Sequence, residues 1–325
     1  MEEALDSALP ICDAHHHLWS HRGTYLLPEL LNDIGSGHDV RSTVFVEAGA
    51  AYRTAGPAQL RCVGETEFAN RIAEQCARTG RLPQVARGIV GYADLTLGAQ
   101  VSEVLAAHIE ASPARFRGVR HSVTWDADPL ARGSAPAPGL LREASFRAGA
   151  RELQKLGLSF DAWLFHHQLG DLLAFARALP DLRIIVDHAA MPLGVGRYAA
   201  QHEELFRAWQ RMMGELSTCG NVVVKLGGFG MPRLNLPWQA ASPDVPSSSE
   251  VARVIEPYCL TCMELFGVDR CMFESNFPPD RETLSYGVVW NAYKKVTRGF
   301  PVADRTKLFH DNAVRHYRLN DRGLY

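Results

Sequence analysis

Short apolar runs alternate with longer amphipathic runs along this chain. The apolar runs, rich in β-branched residues, cover residues 11–15, 42–48, 86–93, 116–119, 158–165, 183–187, 222–226 and 270–275. Several are continuous, such as Ile184-Ile185-Val186 and Val222-Val223-Val224. That is the pattern of parallel strands buried on both faces. Helical periodicity fills the intervals. Residues 65–78 set Phe68, Ile72 and Cys76 on one side, and 100–110 do the same with Val101, Val104, Leu105 and Ile109. Further helices are predicted at 169–179, 202–216, 251–266, 283–296 and 304–317. Strands alternating with helices in this number predict an α/β fold of the closed (β/α)8 or TIM-barrel type, read as a single domain over 1–325. A doubly wound sheet would carry a Gly-rich phosphate turn after its first strand. This chain runs into Asp13-Ala14-His15-His16-His17 instead.

Stretches 20–40, 122–144 and 227–249 are long and irregular. The last two follow strands four and seven, which puts them on the catalytic face of a barrel, where they would cover the pocket as lids. Substrate selection is expected in the loops 52–53, 125–138 and 231–246.

The 34 basic and 36 acidic residues nearly balance, a formal net charge of −2. This argues against a nucleic-acid partner, which needs a strongly basic face, and there is no polybasic membrane anchor. The acidic start lacks an apolar signal segment, and no apolar run reaches membrane-span length. The seven Cys are odd in number and scattered, as in a reduced cytoplasmic protein. Cys259 and Cys262 have CxxC spacing. They lie in an apolar helical stretch without a second pair, which favours the core over redox or zinc chemistry.

The candidate chemistry gathers at strand ends. Alternate strand residues share a face, so His15 and His17 can both point at the barrel axis as a divalent-metal clamp. His16 then points away, and Asp13 is expected below the pair on their side. His188 ends the sixth strand, where a barrel carries catalytic groups. Of His166 and His167, after the fifth strand, His167 is the candidate; helix capping is the alternative. Arg120 and His121, ending strand four, suit a substrate carboxylate. Glu47 and Lys225 are charged residues in apolar strands, read either as site groups or as buried ion pairs. Tyr52 is a candidate substrate contact. Glu274, Asn276 and Asp280 lie near the barrel mouth with their facing open.

Together these motifs resemble the amidohydrolase superfamily, in its amidohydrolase-2 branch. The resemblance runs from Asp13-Ala14-His15-His16-His17-Leu18-Trp19 through Gly118-Val119-Arg120-His121, Asp187-His188 and Lys225-Leu226-Gly227-Gly228 to Ser275-Asn276-Phe277-Pro278 and Asn312-Ala313. It implies a reaction centre built from His15, His17, His188 and His167, with His15, His17 and His188 as ligands of a zinc or manganese ion. The family's strand-eight Asp is replaced here by Asn276. An amide is no general base and a poorer ligand, so metal-independent chemistry is open, with Asp280 or Glu47 as the carboxylate. The resemblance implies hydrolysis of a small, carboxylate-bearing lactone in aromatic or sugar catabolism. The alternatives are metal-dependent decarboxylation of an aromatic or muconate-like acid, or a degenerate barrel that only binds ligand. A small-molecule substrate and a homodimer are expected.

Overall fold

The computed structural model describes residues 2–80, 83–239 and 246–320. Eight parallel strands follow one another in chain order: β1 (Pro10–His16), β2 (Asp39–Val46), β3 (Gln84–Gly91), β4 (Phe116–Arg120), β5 (Ser159–Ala162), β6 (Ile184–Val186), β7 (Val222–Leu226) and β8 (Cys271–Phe273). The circle closes above β8. There His16 bridges Phe277, His17 N donates to Phe277 O at 2.7 Å, and Asn276 N donates to His15 O at 2.9 Å. The fold is therefore a (β/α)8 barrel.

The helices are α1 (Leu27–Ile34), α2 (Val63–Ala77), α3 (Val101–Ala111), α4 (Ala144–Lys155), α5 (Leu169–Ala178), α6 (His202–Ser217), α7 (Ser248–Phe266), α8 (Tyr286–Val296), α9 (Val302–Thr306) and α10 (Asn312–His316). Two of them were not legible as periodic stripes. The eight-residue α1 lies within the stretch read as irregular, and is started by Pro28 and by Glu29, whose carboxylate caps Leu26 N at 2.9 Å. The buried face of α4 is Phe146, Gly149, Ala150 and Leu153, half of it too small to register as apolar. The helix expected at 304–317 is interrupted by a π-turn at Lys307–Asp311. Helix α7 begins earlier than its apolar stripe, because Ser247 and Glu250 form a reciprocal capping box.

The core has two layers. Inside the barrel lie Cys12, Ala14, Val44, Val46, Val90, Ile185, Val223 and Met272, with Tyr317 and Leu319 packed against them from the C-terminal segment. Between strands and helices lies a larger layer that includes Ile11, Phe45, Phe116, Phe160 and Trp209. Strand alternation then stacks Arg120, Asp161, Asp187, Lys225 and Glu274 toward the C-terminal ends of their strands. All seven cysteines, Cys259 and Cys262 included, are buried and unpaired. Among the described residues no helix is long and apolar enough to cross a membrane.

Candidate active site

A bulge sets the geometry of β1. Asp13 pairs with Thr43 and His16 with Phe45, so three steps on β1 match two on β2. The extra residue carries His15 to the axis, although Ala14 also faces inward. His15 Nε2 then meets His17 Nε2 at 3.1 Å, and His17 is fixed by Val46 O at 2.8 Å. His16 turns outward to Thr43 Oγ1 at 2.8 Å. The same bulge puts Asp13 on the opposite side from its expected place. It faces α8, accepting from Ser275 Oγ at 2.6 Å and from Tyr286 OH at 3.0 Å. Burial raises its carboxyl to about 6 despite those bonds.

Beneath the histidines lies a fully buried ion network. Lys225 Nζ donates to Asp161 at 2.8 Å and to Asp187 at 2.9 Å, and lies 3.1 Å from His15 Nδ1. Tyr317 OH supports Asp161 from below at 2.5 Å. Burial works against the Lys225 charge, but Asp161 and Asp187 more than offset it and hold the ammonium protonated. Deleting one partner of such a pair costs about 3–5 kcal/mol, because a buried charge is left alone. Arg120 bonds Glu47 Oε1 through Nε at 2.7 Å and Glu47 O through Nη2, with Asp187 3.7 Å from Nη1. Its guanidinium is thus engaged by protein, and Glu47 forms the ion pair that is one of its two sequence readings.

His188 and Glu274 form the central pair. His188 begins a run of left-handed residues, with φ of 54°, 51° and 45° at His188, Ala189 and Ala190. This turn ends β6 abruptly and projects the ring over the barrel mouth. Its Nδ1 lies 2.6 Å from Glu274 Oε1, while Glu274 Oε2 lies 3.0 Å from His15 Nδ1. Burial alone would raise Glu274, yet His188 and His15 hold its carboxyl down at about 2. A carboxylate only accepts, so the His188 proton is on Nδ1. Gly227 and Gly228 make room for this pair. A Cβ at Gly227 would lie 2.2 Å from Glu274 Cγ, and one at Gly228 would lie 2.6 Å from His188 Cγ.

Above them opens a cavity of about 1050 Å³. His17, Glu47, Arg120, His188 and Asn276 line its floor, with Trp19 and Trp163 also in the wall. Trp163 meets His188 edge-on at 4.8 Å, and the Arg233 guanidinium lies 5.5 Å from the Trp163 ring centre. Leu130, Arg132 and Ser134 come from the loop after β4, and Met231, Arg233 and Asn235 from the loop after β7. Residues 240–245 of the second loop lie outside the described residues. Among the described residues, the Arg233 guanidinium has no hydrogen-bond or carboxylate partner. Burial, and then Arg132 beside it, lower its pKa.

Six candidates do not reach the cavity: His15 is fully buried beneath its floor, and the other five point elsewhere. His167 bonds Trp125 O at 3.0 Å and stacks on Tyr198, docking the loop after β4. His121 accepts from Leu95 N at 3.2 Å between Tyr92 and Phe146. Tyr52 is part-exposed on the β2–α2 loop, outside the cavity lining. Lys225 is sealed in its ion network. Asp280 is buried behind Asn276, accepting from its Nδ2 at 2.7 Å and from Gly230 N at 2.8 Å, and burial raises it to about 7. Sequence reading did not pick out Asp161, Asp187, Arg132 or Arg233, and left Glu274 open. The signals were present: Lys225 demands buried counter-charges, and Glu274 is in phase with inward-facing Met272.

His15, His188 and Glu274 offer donors within 4.8 Å of one another, the one such group among the described residues. Glu274 takes the place expected of His17. As packed, these residues do not fit an ion. Glu274 Oε1 is taken by His188 Nδ1, while Oε2, 3.0 Å from His15 Nδ1, has no hydrogen-bond partner among the described residues. Both nitrogens of His15 face a cation, Lys225 Nζ at 3.1 Å and Arg120 Nη1 at 3.4 Å. An ion on either nitrogen would sit against a full positive charge in a medium of low dielectric.

A family model described as amidohydrolase matches residues 12–319. A Sinorhizobium fredii protein, y4mH, described as uncharacterized, is 32% identical over 96% of this chain and 100% of its own length. L-fucono-1,5-lactonase of Burkholderia ambifaria is 28% identical over 95% of each chain. Among solved structures, a Burkholderia multivorans amidohydrolase with bound zinc superposes with a TM-score of 0.73 at 24% identity, covering 95% of this chain and 99% of that one. A putative 2-pyrone-4,6-dicarboxylic acid hydrolase from Pseudomonas putida gives 0.60 at 18% identity, covering 96% and 99%. With the family match running from the first strand into the C-terminal segment, the chain belongs to the amidohydrolase family.

Proposed function

We propose that this protein hydrolyses a small, carboxylate-bearing lactone, without metal, using His188 as general base. The observation that carries this reading is the His188–Glu274 pair at the floor of the cavity. With its proton held on Nδ1, His188 keeps the Nε2 lone pair for water. Asn276 spends its Nδ2 on Asp280, which leaves Oδ1 as an acceptor to orient that water.

His188 takes one proton from water as the oxygen attacks the lactone carbonyl carbon. The carbonyl π-bond becomes an oxyanion, stabilised by the Arg120 cation fixed by Glu47. Collapse of the tetrahedral intermediate breaks the ring C–O bond, and the His188 proton passes to the leaving alkoxide. The imidazolium formed between these steps is stabilised by Glu274. Lys225 and the two aspartates hold His15, and through it Glu274, in place.

The substrate carboxylate is assigned to Arg233 and Arg132 rather than to Arg120, which is already paired. Arg233 and His188 both contact Trp163, so a small ring bound beside Trp163 would reach His188 with its scissile carbonyl and Arg233 with its anion. The relatedness to L-fucono-1,5-lactonases supports ester-ring opening. The buried free thiols support a reducing, cytoplasmic setting.

The test is acid release from a panel of five- and six-membered lactones, with and without a ring carboxylate, followed with a pH indicator. Turnover favouring the carboxylated members is expected. Loss of carbon dioxide from an aromatic acid, with no lactone opened, would overturn the reading.

A further inference from the structure

Glu65 is a buried carboxyl group that hydrolysis leaves unused. It sits on α2, 1% exposed, and is not among the groups lining the cavity. Its Oε1 accepts the backbone N–H of both Ala48 and Ala50, each at 2.8 Å. These residues directly follow Glu47 on the loop that leaves β2. The loop then passes close over α2, where a Cβ at Gly64 would lie 2.6 Å from Ala51 O. Glu47 in turn holds Arg120, through its carboxylate at 2.7 Å and through its own carbonyl. The other oxygen of Glu65, Oε2, is buried without a hydrogen-bond partner among the described residues.

We propose that Glu65 is a positioning residue for the reaction: as a neutral acid it pins Ala48 and Ala50, and so holds Glu47 against Arg120 at the cavity wall. The inference rests on the lactonase reading for the role of Arg120, but the clamp itself does not. An unpartnered, buried carboxylate oxygen is costly, whereas a protonated acid removes the charge and keeps Oε1 as acceptor. Glu65 faces Glu47 and Tyr52 from the loop, Arg120 from β4 and Cys62 at the start of its own helix. Burial, then the charge of Glu47, push it up to about 8 against the pull of the two N–H groups and Arg120. Tyr52 is pushed up as well, and Cys62 to about 11, so neither adds charge in that range. Ionisation of Glu65 sets a second carboxylate beside Glu47, and both then compete for Arg120.

Two variants separate this role from simple packing. Glu65→Gln keeps an acceptor for both N–H groups and is neutral at every pH. Glu65→Ala removes the acceptor. For the wild type, kcat/KM should fall on the alkaline side with an apparent pKa near 8. Glu65→Gln should turn over like the wild type at neutral pH and lose that alkaline limb. Glu65→Ala should lose roughly tenfold to a hundredfold in kcat through misplacement of Arg120. Amide hydrogen exchange at Ala48 and Ala50, read without substrate, should stay slow in Glu65→Gln and become fast in Glu65→Ala. An alkaline limb that persists in Glu65→Gln overturns the proposal, as does exchange unchanged in Glu65→Ala. If the wild type opens no lactone while the exchange pattern holds, the clamp stands and the assigned reaction falls.

Discussion

Glu274 Oε1 lies 2.6 Å from His188 Nδ1, on the side of the imidazole away from the free Nε2. That contact fixes the tautomer, orients the ring over the cavity floor and, in the proposed reaction, would stabilise the imidazolium that base catalysis creates. Glu274→Gln preserves the volume beneath Gly227 but removes the charge. Its amide can present an N–H to Nδ1, which would drive the ring proton to Nε2 and block the base. A fall in kcat of roughly 10²–10⁴-fold is expected, the range of general-base catalysis, with KM little changed. Steady-state kinetics, with circular dichroism to verify folding, check this. A variant that works like the wild type would remove His188 from the role of base.

The carboxylate of the substrate should be read by Arg233. A guanidinium without an acceptor among the described residues, half out of water and repelled by Arg132, gains a partner when an anion arrives. Arg233→Ala removes a charge-assisted contact of about 1.5–3 kcal/mol, so KM for a carboxylated lactone should rise roughly ten- to a hundredfold. A neutral lactone should be opened as before. An equal loss on both substrates would assign Arg233 to shaping the loop after β7 instead.

These two residues also mark what the chain discloses of itself. The barrel was legible because parallel strands buried on both faces leave continuous apolar runs, as at Val222-Val223-Val224. The inward turn of His15 and His17 followed from alternation, yet alternation misplaced Asp13, since a bulge changes phase without a sequence signature. His121 and His167 were read as site residues because they end strands four and five. Whether a strand-end His faces the cavity or a neighbouring loop is set by partners such as Leu95 N and Trp125 O, which are remote in sequence. Arg233 could not be selected among the 34 basic residues for the same reason. Its distinction is that no carboxylate among the described residues meets its guanidinium, a property of the folded loop alone.

Metal removal tests the packing around His15 directly. The two nitrogens of this ring are faced by Lys225 and Arg120, and Glu274 Oε1 is already taken by His188 Nδ1. Enzyme treated with a strong chelator and desalted should retain its turnover, and elemental analysis should find zinc and manganese far below one per chain. Activity lost on chelation and restored by either ion would show that Lys225 yields its place near His15. The general base would then have to be sought elsewhere, first at Glu47.

The dependence of stability on pH should carry the mark of His108. This ring is fully buried, stacked on Phe116 at 4.8 Å, with Nδ1 2.8 Å from Thr66 Oγ1 and Nε2 2.9 Å from Tyr92 O. The carbonyl accepts from Nε2–H, and the Thr66 hydroxyl donates to Nδ1. The neutral ring satisfies both contacts, and a second proton would set two donors against each other. Burial lowers its pKa to about 4, from 6.5 in the unfolded chain. Between those values the unfolded chain binds a proton that the folded chain refuses, so this contribution is full above pH 6.5 and is lost as the pH falls toward 4. The slope approaches about 1.4 kcal/mol per pH unit. Other buried groups titrate in the same range, so a difference measurement is needed. His108→Gln keeps hydrogen-bonding capacity but does not titrate. In urea denaturation, its deficit relative to the wild type should be largest at neutral pH and shrink as the buffer is acidified. A deficit independent of pH would mean that His108 is protonated in the fold, with the Thr66 hydroxyl turned to accept from it.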